Sequence, residues 1–205
     1  LENGGKLILP VAIESKENIS DPLLRVIIEG KNRQLVSRQD RINLITATLP
    51  NRFRAEIPAD FKPALCVQAV EEKWSELTKI IWDRYLAGPA ALGHSTAEIW
   101  QRQIDNFWEI NWIIGEDPAV LDLRKNWRSH IPSFEHGDKC TLFGDLQELS
   151  GYLRIREPEK QGEFWQAVRQ QKRAGIYYDL EENELLCAIA LIKRLFPHVI
   201  PELIT

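Results

Sequence analysis

The chain has no methionine in 205 residues and only three cysteines, Cys66, Cys140 and Cys187. An odd cysteine count without a secretory signature does not describe a disulfide framework; it points to a reducing compartment, and a cytoplasmic protein is expected. No stretch approaches the roughly 18 consecutive apolar residues of a membrane span, so no transmembrane helix and no membrane partner are expected. A Gly-rich phosphate loop is also missing: Gly88 to Gly93 carries no lysine, serine or threonine in P-loop register. Charge of one sign is not in excess. The net charge of −4 gives no bulk attraction to nucleic acid, so any such contact must come from a local patch. The first residues, Leu1 to Lys6, read as the inside of a longer protein.

What is present is an ordinary folding composition, 44% apolar and 27% charged, enough for a sizeable core. Seven tryptophans supply bulk for packing between elements. Lys6 to Ile13 is strand-like. From Asn51 to Ile57 the residues alternate, which predicts a half-buried strand with Phe53, Ala55 and Ile57 inward, ended by Pro58. Residues 63 to 87 form one helical stripe of Val70, Trp74, Leu77, Ile81 and Tyr85, stopped by Gly88-Pro89. Ser95 with Glu98 predicts a capping box for a second helix facing inward through Trp100, Ile104 and Phe107. Glu109 to Ile114 then reads as a strand closed by Gly115. Strand, helix, helix, strand is an α+β order.

Beyond Asp117-Pro118 the character is mainly helical. Ala119 to His130 reads as a short helix, Gly162 to Lys172 is amphipathic, and a buried last helix begins at Asp179, with Glu182 completing another capping box, and ends at Pro197. The expected division is therefore residues 1–116, an α+β domain, and 117–205, a mainly helical region.

Two segments carry candidate chemistry. Cys140-Thr141-Leu142-Phe143 and Cys187-Ala188-Ile189-Ala190 each look like half of a metal knuckle: the first position is cysteine, but the second is Phe143 or Ala190, neither a ligand. Either packing has replaced a lost site, or the pattern is chance. His130 and His136 do not stand at knuckle spacing from Cys140. Buried, reduced cysteines acting as small apolar groups are the plainer reading. Arg124, Lys125 and Arg128 cluster on one helix, with Arg124 and Arg128 sharing a face; this arrangement suits phosphate contact and equally suits a solvated surface. Glu109, Asp138, Asp145 and Glu148 show no spacing that pairs them for acid–base work, and Ser95 after His94 reads as a cap rather than a nucleophile. No catalytic residue is assigned.

Taken in order, several segments resemble the large subunit of type III-B (Cmr-type) CRISPR effector complexes. They are Thr46 to Phe53 with its Leu-Pro-Asn-Arg-Phe, and Ile99 to Trp112 with Trp100, Gln103, Phe107, Trp108, Glu109 and Trp112 in the family's pattern. Arg124 to Arg128 and the two cysteine segments follow in the same order. The resemblance spans roughly residues 42 to 196. It implies the second half of a palm-like, ferredoxin-like or cyclase-like domain followed by a helical region with a degenerate zinc knuckle. It also implies guide RNA, target RNA and other effector subunits as partners. Many members have four cysteines where this chain has two, so no cofactor is expected here. In the family, the whole subunit makes cyclic oligoadenylates from ATP through a Gly-Gly-Asp-Asp motif in its second palm, and some members carry a His-Asp nuclease domain. Neither motif occurs in these residues. Two other functional classes stay open: a free-standing nucleotide-binding enzyme of cyclase-like fold, and a helical protein-interaction module.

Overall fold

The computed structural model describes residues 6–9, 13–15, 18–19, 52–117, 134–171 and 180–203. The chain divides into two compact units, Leu1–Gln68 with Pro197–Thr205, and Ala69–Phe196. In the first, β1 (Lys6–Leu9) pairs antiparallel with β4 (Arg54–Glu56), Leu7 opposite Ala55, with a bulge between Leu7 and Leu9. A small hairpin joins β2 (Ile13–Ser15) to β3 (Asn18–Ile19). The alternation read from the sequence does produce β4, but Phe53 is 59% exposed rather than inward. Residues 20–51 and 118–133, which include Thr46 to Asn51 of the resemblance and the expected helix from Ala119 to His130, lie outside the described residues.

Helix α1 (Ala64–Ile81) opens the larger helical part, and Leu77 and Ile81 of the expected stripe are buried. Val70 is exposed and Trp74 half-buried. The helix then widens into one π turn, Trp82–Leu86, in which the Ala87 N–H donates to the Trp82 carbonyl at 2.9 Å. Tyr85 and Leu86 of that turn are both buried. A 3₁₀ turn, Pro89–Leu92, follows.

Helix α2 (Thr96–Asp105) buries Thr96, Ile99, Trp100 and Gln103. Its start corrects the expected capping box. Ser95 is left-handed, with φ at 56°, and makes no side-chain cap bond. The reason lies in the neighbouring loop: the His94 N–H donates to the Ser150 carbonyl at 2.7 Å and the Thr96 hydroxyl to the Leu149 carbonyl at 2.8 Å. Holding both residues to one loop turns the backbone between them away from a capping geometry. Gly151 completes this dock with φ at +74°, and a Cβ there would overlap the His94 carbonyl oxygen.

Glu109 to Ile114, expected as a strand, is not one. Trp112, Ile113 and Ile114 are all 44% exposed or more in succession, so burial does not alternate. Helix α3 (Pro158–Arg169) buries Phe164, Trp165 and Val168. Helix α4 (Ala188–Leu203) begins nine residues after the expected Asp179 and continues through Pro197. The late start has a cause: residues 185–186 are taken up by pairing with another segment, as described next. Among the described residues, no helix is long and apolar enough to cross a membrane.

Candidate functional site, a buried dithiol joint

Residues 138–149 form a short hairpin. The Glu148 N–H donates to the Asp138 carbonyl at 2.9 Å, Lys139 bridges Gln147, and the Cys140 N–H donates to the Leu146 carbonyl at 2.8 Å. A turn closed by Leu146 N–H to Phe143 carbonyl, 3.1 Å, forms its tip. The segment before α4 lies along this hairpin: Thr141 N–H donates to the Leu185 carbonyl at 2.8 Å and Leu149 N–H to the Leu186 carbonyl at 3.0 Å. Those two bonds engage the carbonyls of residues 185–186, and the helix begins only at Ala188.

Cys140 and Cys187 meet at this junction, both buried and both unbridged. Cys187 is the N-cap of α4. Its carbonyl accepts the first helical bond from Leu191 N–H at 3.0 Å, and its Sγ accepts the Ala190 N–H at 3.4 Å. The neighbouring Cys187 side chain, with the backbone N–H groups of Cys187, Leu142 and Phe143, outweighs burial and lowers Cys140 from 9.0 to about 6. Cys187 is pushed up, first by the neighbouring Cys140 side chain and then by burial. Of the two positions where a knuckle would have further ligands, Ala190 is buried, and the Phe143 ring lies against Lys193, whose Nζ is 5.0 Å from the ring centroid, one helical turn beyond Ala190. Among the described residues, no three His, Cys, Asp or Glu side chains gather to hold a metal ion.

The joint is anchored from α2. The Gln103 carbonyl oxygen accepts the Ala188 N–H at 2.7 Å, satisfying an otherwise orphan donor of the first turn of α4. The Gln103 amide donates to Glu135 Oε2 at 2.6 Å and to the Gln147 carbonyl at 2.8 Å. Glu135, buried, also accepts Arg102 Nε at 2.7 Å and the Gln147 N–H at 2.6 Å.

A second buried carboxylate lies behind the hairpin. Glu148 is wholly enclosed and accepts Ser150 N–H at 2.9 Å and Trp165 Nε1–H at 2.6 Å on Oε2. Its Oε1 accepts the Ser150 hydroxyl and, at 3.4 Å, Gln161 Nε2. Gln161 Nε2 also donates to Asp138 Oδ2 at 2.9 Å and the Tyr152 carbonyl at 3.2 Å. Burial raises the Glu148 carboxyl despite these donors.

The structure therefore joins the two cysteine segments. Arg124, Lys125 and Arg128 lie outside the described residues. Sequence reasoning missed Gln103, Glu135, Glu148 and Gln161 as a network, because their partners are distant in the chain; only the Trp100-x-x-Gln103 spacing marked one of them. Elsewhere, a cavity of about 400 Å³ between α1 and α2 includes Thr78, Lys79, Trp82, Asp83 and Trp100 in its lining. Its cation is engaged, Lys79 Nζ to Asp83 Oδ2 at 2.5 Å, so it offers a phosphate no unpaired lysine. The chain matches no family model, no curated protein and no solved structure.

Proposed function

We propose that this chain is a structural and RNA-contacting region of the large subunit of a type III-B CRISPR effector complex. In this reading it comprises part of a palm-like α+β domain and a helical region whose zinc knuckle has degenerated to two cysteines. One observation carries the reading. Three separated stretches that make up the resemblance converge on one joint: Gln103 of the Trp-rich segment bonds Ala188, next to Cys187, and Thr141, next to Cys140, bonds Leu185 of the Cys187 segment. Chance likeness gives no reason for segments 37 and 84 residues from Gln103 to meet there. Guide RNA, target RNA and neighbouring effector subunits are the proposed partners, and the synthesis of cyclic oligoadenylates belongs to the parent family rather than to residues of this chain. The exposed Trp108, Trp112, Ile113 and Ile114 suit contact with another subunit.

The test is binding of single-stranded RNA by the chain and its Arg124→Ala, Arg128→Ala variant across a salt series. Two lost phosphate contacts should weaken binding and flatten the slope of log affinity against log salt by about 1.4, at roughly 0.7 per contact. An unchanged slope assigns those arginines to a solvated surface and removes the RNA role.

A further inference from the structure

We propose that Cys140 and Cys187 form a reversible thiol–disulfide pair, a covalent modification site that fastens the hairpin tip to the first turn of α4. The inference is independent of the RNA-guided reading, because it rests only on the joint. The backbone sets the two cysteines side by side: Thr141 N–H on the Leu185 carbonyl and Leu149 N–H on the Leu186 carbonyl fix the hairpin against the residues before the helix. The two buried thiols are neighbours close enough to act on each other's protonation, and side-chain rotation would bring the sulfurs to bonding distance. The positions that would supply further metal ligands are Phe143 and Ala190, which leaves the thiols to each other.

The step needs an oxidant, and a small disulfide such as oxidised glutathione serves. The Cys140 thiolate attacks one glutathione sulfur, the S–S bond breaks, and a glutathione thiolate leaves. The Cys187 thiol gives its proton to solvent and attacks the Cys140 sulfur, expelling the second glutathione thiolate. The pair is oxidised by two electrons and the glutathione disulfide reduced to two thiols. With Cys140 lowered and Cys187 raised, Cys140 is the sulfur suited to attack first.

Both cysteines are buried, so the reagent enters by local opening of the tip. That tip is suited to open. Thr141, Leu142, Gly144 and Asp145 are exposed, and a Cβ placed on Gly144 would meet nothing within 4 Å. Cys66, half-buried and in the other compact unit, is the internal control.

The experiment incubates the full chain in glutathione buffers of graded ratio, quenches in acid, alkylates the unfolded protein and maps the peptides by mass. Expected are the loss of two alkylatable thiols per chain, a bridged peptide joining Cys140 to Cys187, free Cys66, and full reversal by dithiothreitol. Cys187→Ala should instead hold glutathione at Cys140 without resolving it. Three free thiols at every ratio, a bridge to Cys66, or glutathione retained at Cys140 in the unaltered chain would each overturn the proposal. The unaltered chain decides the matter even if the variant fails to fold.

Discussion

Replacing Glu148 separates the worth of its shape from that of its charge. The carboxylate is fully enclosed and receives four donors, two of them fixed: the Ser150 N–H and Trp165 Nε1–H, both on Oε2. Glu148→Ala strands those two donors at about 1–3 kcal/mol each, and the emptied volume adds to that, so a loss of roughly 3–6 kcal/mol is expected. Glu148→Gln can keep its carbonyl at the Oε2 position and so retain both. Its amide then faces the Ser150 hydroxyl, which can turn to accept, and Gln161 Nε2, already a weak 3.4 Å contact. The expected cost is about 1 kcal/mol.

The pH dependence has a definite sign. The folded-state pKa of Glu148 is raised above its ordinary 4.5, so the folded state binds that proton more tightly. This contribution to stability is complete below about pH 4.5 and is lost as pH rises through the folded-state value. Urea unfolding of both proteins from pH 4 upward, taken as a difference, cancels the other carboxylates. Relative to the variant, the unaltered chain should lose stability as pH rises. The reasoning is refuted if Gln costs as much as Ala, or if the difference curve is flat.

Gln103→Leu should lower stability by about 2–4 kcal/mol, since it strands the Ala188 N–H and leaves Glu135 short of a donor; hydrogen exchange at Ala188 should quicken, and unchanged protection there would discount the anchor. Gly151→Ala should cost roughly 2–4 kcal/mol from positive φ and overlap with the His94 carbonyl, read as a lowered urea midpoint, whereas Gly144→Ala, in open space, should leave the midpoint nearly unmoved.

Local rules made the helices legible. The spacing of Leu77, Ile81 and Tyr85 specified one long helical stripe, and Phe164, Trp165 and Val168 specified α3, because those contacts repeat within a few residues. The failures share a physical origin. Ser95 has the right residue type for a cap, yet Leu149 and Ser150, more than fifty positions away, set its backbone. Asp179 and Glu182 spelled a helix start, but pairing of residues 185–186 with the hairpin delayed it to Ala188. The cysteine spacing did mark the joint. What it could not reveal was the polar frame around it, since Gln103, Glu135 and Gln161 are adapted to partners that only the fold supplies.

The donor at the start of α4 has its acceptor 85 residues earlier, on α2. The first turn of α4 cannot be completed alone: until α2 approaches, Ala188 N–H keeps water as its partner. Loop closure over that distance must come before the reward, which favours slow, all-or-none assembly of this unit over stepwise growth from either end. A chain cut just ahead of Leu185 would lose more than a helix. It would also remove the carbonyls on which Thr141 and Leu149 rest, and the hairpin would lose its edge.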